Sequence, residues 1–223
     1  MNKHIVYLVF GFLPCSLFAQ TWDTIPNLPD HYRLKVGEFR KEPIVKGRTI
    51  FLGDSLTEGG NWRNLLKDSS IINRGIAGDV TFGVLNRIDD IIKRRPARLF
   101  LLIGTNDLGK GIPDEVIMEN VFSIVVRIRK ASPDTKIFVQ SILPTNSLFK
   151  NFPLHHAKND HVVTLNREFL KYAARLGFTY VDLYSGFLDK ENHLGAGYST
   201  NGVNLNQAGY RHWVEILKEQ NCL

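Results

Sequence analysis

Cysteine is almost missing from this chain: there are two in 223 residues, Cys15 and Cys222. Cys15 falls inside an N-terminal stretch that reads as a removable export signal. One thiol then remains, an internal disulfide is excluded, and the apolar core must supply the stability. A chain of this length can do that without staples. No basic cluster surrounds Cys222 to activate it, so it reads as inert. Internal repeats, low-complexity tracts and domain-separating linkers are also absent, which points to one compact domain. Past the signal, no apolar run approaches the roughly 20 residues that a membrane-spanning helix needs. Basic residues exceed acidic ones by 28 to 22, for a net charge of +6, but they are scattered. The one cluster, Lys93 to Arg95, closes a predicted helix, where cations suit the macrodipole. With no nucleic-acid motif and no strong metal-ligand spacing, neither a nucleic-acid partner nor a metal or other cofactor is expected.

At the N-terminus, Lys3, the apolar core "IVYLVFGFL" and the segment "SLFAQ" predict a signal peptide over residues 1–19, cleaved after Ala19. Cys15 follows "FLP", a poor match to a lipoprotein signal. The expected location is therefore periplasmic or extracellular. Residues 20–223 form the single predicted domain, and its first part, about residues 20–47, reads as an arm rich in turn formers with no sustained period.

Short apolar runs then alternate with amphipathic ones. Strands are predicted at "TIFLG" from Thr49, "SIINRG" from Ser70, "RLFLLIG" from Arg98, "KIFVQS" from Lys136 and "TYVDL" from Thr179. Helices are predicted around Trp62 to Lys67, Thr81 to Arg94, Pro113 to Lys130, Asp160 to Leu176 and Asn206 to Lys218. Val121, Ile124, Val125 and Ile128 recur at helical spacing and mark a core-facing stripe. Strand–helix alternation with continuously apolar strands predicts an α/β fold, a parallel sheet covered on both faces. In such sheets ligands bind beyond the carboxyl ends of the strands, so functional residues should follow strands directly.

Three segments do. In "FLGDSL", Ser55 follows the first strand at a helix start, where it is either an exposed nucleophile or, with Asp54, a helix cap. In "NRGIAGDVT", Gly75 and Gly78 bare the main chain after the second strand, either to let an amide approach a ligand or to make a turn ahead of a helix capped by Asp79 or Thr81. In "LFLLIGTNDLGKG", Asn106 lies at the end of the third strand, offering N–H donors to an oxyanion or closing an Asx-turn.

Together, "GDSL", "GIAGD", "GTND" and the distal "GVNLNQAGY" resemble the four blocks of the SGNH (GDSL-type) hydrolase family, in order and spacing, over nearly all of the mature chain. The nearer likeness is to the platelet-activating-factor-acetylhydrolase-like and carbohydrate O-acetylesterase branches. The resemblance implies a flavodoxin-like three-layer α/β/α sandwich on a five-stranded parallel sheet, and hydrolysis of short acyl esters through an acyl-enzyme, without a metal. It assigns Ser55 as nucleophile and, as oxyanion donors, the Ser55 backbone N–H, the Gly78 backbone N–H (Gly75 being the alternative) and the Asn106 side chain. The substrate it implies is a small-molecule or carbohydrate acyl ester, with O-acetylated sugars fitting an exported protein.

The pattern breaks at its last block. Where the family has Asp-x-x-His, this chain has Asn201-Gly202-Val203-Asn204. A serine hydroxyl is a weak nucleophile unless a neighbouring base takes its proton. Imidazole does so near neutral pH, whereas an Asn amide has no comparable basicity. The expectation is an SGNH scaffold with its nucleophile retained and its chemistry disabled or severely impaired. Two alternatives stay open: an active esterase using a substitute base or substrate-assisted proton transfer, and a non-catalytic protein that binds esters or glycans. Among substitutes, His155, His156 and His161 follow the fourth strand and are expected in a solvated loop and helix start. His193 is expected in a surface loop and His212 on the last helix. Asp79 and Asp107 lie near the inferred cleft but are weak bases at ordinary carboxylate pKa.

Overall fold

The computed structural model describes residues 29–223; the predicted signal, its cleavage point and the start of the arm lie outside them. The elements run α1 (Asp30–Lys41), β1 (Thr49–Gly53), α2 (Ser55–Glu58), α3 (Trp62–Leu65), β2 (Ile72–Gly75), α4 (Thr81–Asn86), α5 (Ile88–Arg94) and β3 (Arg98–Leu102). They continue through α6 (Thr105–Gly109), α7 (Asp114–Ala131), β4 (Lys136–Gln140), α8 (Pro153–His156), α9 (Asn159–Leu176), β5 (Thr179–Val181), α10 (Tyr184–Phe187) and α11 (Gln207–Glu219). The five strands form one parallel sheet in the order β2-β1-β3-β4-β5.

Successive strand residues point to opposite faces, and each face builds its own core. Ile50, Leu52, Leu99, Leu101, Ile137 and Val139 pack under α4, α5, α7 and α9. Phe51, Phe100 and Phe138 face the other way, towards α3, α10 and α11. The three phenylalanines are direct cross-strand partners, and their rings stack at centroid spacings of 4.7 Å. Trp62 extends the column, 4.1 Å from Phe51. The result is the predicted three-layer sandwich with a core on each side of the sheet.

Two features depart from the sequence expectation. Within the arm, residues without a visible period form the helix α1, which buries Tyr32 and Phe39. Tyr32 Oη donates to the Gly83 carbonyl at 2.7 Å, and Phe39 lies 4.3 Å beneath the Arg74 guanidinium. The single helix expected from Thr81 to Arg94 is broken at Arg87 into α4 and α5. Arg87 is buried there because its guanidinium donates to Asp79 Oδ2 at 2.9 Å and to the Gly53 carbonyl at 3.1 Å.

Candidate active site

In this strand order, the connections leaving β1 and β3 diverge and open a crevice between the carboxyl ends of those strands. Gly53 ends β1 in register with Leu102 of β3. A Cβ on Gly53 would lie 2.1 Å from the Leu102 carbonyl oxygen, so only glycine permits this approach of the two strand ends. The chain turns at Asp54, whose Oδ1 accepts the Leu56 N–H at 3.0 Å and caps α2. Ser55 is the first residue of α2, so capping and presentation of the serine coexist: Asp54 caps, and the Ser55 hydroxyl is left for another partner.

That partner is Asn204. Ser55 Oγ donates to Asn204 Oδ1 at 3.0 Å across 149 residues of sequence. Asn201 does not reach the serine; its Oδ1 accepts the backbone N–H groups of Asn204 at 2.8 Å and Val203 at 3.2 Å, an Asx-turn. The loop is closed further by Ser199 Oγ, which donates to the Asn204 carbonyl and accepts the Gly202 N–H, both at 2.8 Å. Gly202 has φ +83°, and its carbonyl accepts the Asn146 N–H at 2.9 Å.

After β2 the two glycines separate in role. A Cβ on Gly75 would lie 2.0 Å from the Glu58 nitrogen, and the Gly75 N–H is taken by Asn73 Oδ1 at 2.8 Å. Gly75 therefore serves close packing of α2 on β2 and has no free amide to offer. Gly78 sits at φ +77° in the following turn, and its N–H has no hydrogen-bond partner among the described residues. The turn is pinned on both sides: Glu58 Oε2 accepts the Ala77 N–H at 2.6 Å, and Asn106 Nδ2 donates to the Asp79 carbonyl at 2.9 Å. Glu58 is itself met by two side chains of α1, the His31 imidazole at 3.0 Å and the Lys35 ammonium at 3.7 Å.

The capping expected of Asp79 or Thr81 is reversed. Asp107, one residue past Asn106, accepts the Thr81 N–H at 3.0 Å and the Thr81 hydroxyl at 2.5 Å, and so caps α4 from across the sheet. Burial pushes the Asp107 carboxyl up to about 6, against the Thr81 hydrogen bonds. Asp79 is buried and paired with Arg87 at 2.9 Å; burial raises its carboxyl, and Arg87 opposes the rise. Asp54 is the most perturbed of the three. Full burial, aided by the Asp79 and Asp107 charges, pushes it up to about 7, and its Oδ2 has no hydrogen-bond partner among the described residues. Each of these acids is committed to the scaffold, and none hydrogen-bonds the Ser55 hydroxyl.

Among the described histidines, likewise, none hydrogen-bonds Ser55. His161 pairs with Asp114 at 3.0 Å, the His193 backbone N–H is held by Asp189 at 2.8 Å, and His212 stacks on Tyr198 and donates to the Gly186 carbonyl. His156 lies against Gly202 and is bonded to the Asn151 carbonyl. His155 departs from the expected solvated position. It is half-buried over Gly109, with Nε2 3.4 Å from Asn106 Oδ1, and burial with the neighbouring His156 lowers its pKa. The sequence weighed His155 as a substitute base but expected it in solvent, and Glu58 is the residue beside the site that it did not single out.

The geometry has counterparts in known proteins. The model of the GDSL-like lipase/acylhydrolase family matches residues 51–212. Platelet-activating factor acetylhydrolase IB subunit alpha1 of Homo sapiens is 28% identical over 186 residues, covering 81% of this chain and 76% of that one. A Streptococcus pneumonia structure designated as a platelet activating factor superposes with a TM-score of 0.78 at 27% identity, covering 86% of this chain and 92% of that one. A GDSL-like lipase from Bacteroides thetaiotaomicron does so with a TM-score of 0.71 at 25% identity, covering 86% and 98%.

Proposed function

The chain belongs to the GDSL-like lipase/acylhydrolase family, and from that premise we propose that it keeps an acyl-ester site whose serine has lost its proton acceptor. In this reading Ser55 is the nucleophile position, and the backbone N–H groups of Ser55 and Gly78 with the Asn106 side chain are the donors for a carbonyl oxygen. Asn204 stands where a general base belongs and Asn201 where its orienting acid belongs. The observation that carries the reading is the 3.0 Å bond from Ser55 Oγ to Asn204 Oδ1. A carboxamide oxygen accepts that hydrogen bond but cannot hold the proton as Oγ attacks, and it has none to return to the leaving alcohol. Loss of a triad base costs on the order of 10⁴–10⁶ in turnover, and donors plus binding leave roughly 10³–10⁴ over water. The parent reaction is hydrolysis of short acyl, foremost O-acetyl, esters, with acetylated carbohydrate as the substrate class suited to an exported chain.

Hydrolysis of p-nitrophenyl acetate tests this with three proteins: the unaltered chain, Asn201→Asp/Asn204→His, and Ser55→Ala. The expected outcome is that the unaltered chain matches Ser55→Ala, while the double variant is faster by about 10³-fold or more. Fast, Ser55-dependent turnover by the unaltered chain would overturn the reading. One observation favours a second route in that event. His155 is a half-buried imidazole with a lowered pKa, held beside Asn106, so His155→Ala in the same assay would identify it as the substitute base.

A further inference from the structure

Replacing Asp and His by two asparagines does more than remove a base: it changes the polarity of the site. Asn204 turns its Oδ1 to Ser55, and its Nδ2 has no hydrogen-bond partner among the described residues. The Asn106 amide commits one N–H to the Asp79 carbonyl and keeps a second. The Ser55 and Gly78 N–H groups likewise have no partner among the described residues. Around the serine, the uncommitted polar groups are thus mainly donors.

We propose that this donor-lined site binds a short monocarboxylate anion, R–COO⁻, in preference to the corresponding neutral ester or amide. The inference rests on the reading of Ser55, Gly78 and Asn106 as a former ester site. Hydrogen bonds to an ionised acceptor are roughly twice as strong as neutral ones, so donors that suit an ester carbonyl suit a carboxylate better. A fixed carboxylate at position 201 would repel such an anion across the site. With Asn201 that negative charge is gone.

The acids that remain nearby are each engaged. Asp79 is paired with Arg87, Asp107 is bonded by Thr81, and Glu58 is flanked by His31 and Lys35. Asp54 alone has an oxygen without a partner among the described residues, and burial pushes its carboxyl up to about 7, which disfavours its ionised form. Lys110 lines a small hollow together with Gly78 and Asp79.

The test is a titration of the full chain with acetate, acetamide and methyl acetate, read by the side-chain amide NMR signals of Asn106 and Asn204 and by calorimetry. Acetate is expected to shift both amides saturably and to bind at least about tenfold more tightly than either neutral probe. Asn204→Asp, which returns a negative charge, should weaken acetate by more than tenfold, whereas Asn204→Ala should weaken it less. Equal affinity for acetamide, non-saturable shifts, or indifference to Asn204→Asp would overturn the proposal. Repeating the titration on Ser55→Ala separates it from the reading of the base: hydrolysis by the unaltered chain would sink that reading alone, and absent acetate selectivity in Ser55→Ala would sink this one.

Discussion

Asn204 and Asp54 are both neighbours of Ser55, one by a hydrogen bond across the fold and the other along the chain, and they treat a proton differently. Asn204 does not titrate. Asp54 carries a carboxyl pushed up to about 7, far above the ordinary aspartate value of 3.8, chiefly through burial. Its ionised form is therefore disfavoured in the native state and unhindered in the unfolded chain. Between about pH 4 and 7 the native state binds the extra proton, so stability should rise as pH falls through that window. Asp107, raised to about 6, acts in the same direction. Urea midpoints measured from pH 7.5 to 5 should increase for the unaltered chain, and Asp54→Asn should flatten that slope while keeping the Oδ1 bond to the Leu56 N–H. A slope unchanged by Asp54→Asn would assign the pH dependence elsewhere. None of this is visible in "GDSL": Asp54 reads there as a helix cap, which it is, and only its enclosure by the sheet gives it an unusual proton affinity.

At the scale of elements, the turn between β2 and α4 depends on a helix outside the core sandwich. Glu58 of α2 holds the Ala77 N–H, and α1 supplies a hydrogen bond from His31 and the Lys35 cation that offsets its charge. In the Asn201→Asp/Asn204→His background, Glu58→Ala should release the Gly78 turn. We expect kcat to fall about tenfold with KM little changed, and Glu58→Gln, which keeps an acceptor, to recover most of the loss. Equal loss in KM, or no recovery by Gln, would mean a general packing role. The sequence reveals the strands and the three longest helices, α7, α9 and α11, because their periods are carried by many apolar residues. It hides α1, whose fully buried apolar residues, Tyr32 and Phe39, are seven positions apart; two contacts in two turns make too sparse a stripe. The break at Arg87 is hidden for another reason: its partners, Asp79 and the Gly53 carbonyl, are brought to it only by the sheet. Ser55, Gly78, Asn106, Asn201 and Asn204 are legible because each lies in a short motif directly after a strand or just ahead of the last helix. Glu58 meets the Gly78 turn through a tertiary contact, so no local pattern announces it, and the half-buried placement of His155 comes from its packing over Gly109.

For the whole molecule, the stacked column of Phe51, Phe100 and Phe138 runs across the three central strands and ties the helices of one face to the sheet. Phe100 is its centre and is completely buried. Phe100→Ala should cost about 3–5 kcal/mol, read as a lowered urea midpoint, and a loss under about 1 kcal/mol would show that the column is not a principal support. The two asparagines occupy a contrasting position. Their loop is held by Ser199, by the Asn146–Gly202 backbone contact and by an oxygen of Asn201 that an aspartate would equally supply. Its conformation is therefore independent of whether the side chains at 201 and 204 are charged. Asn lies a single base change from Asp in the genetic code, and equally from His. On the proposed reading, two such steps, neither opposed by the loop's hydrogen bonds, separate this chain from one with Asp at 201 and His at 204, which would place the scaffold within short mutational reach of activity.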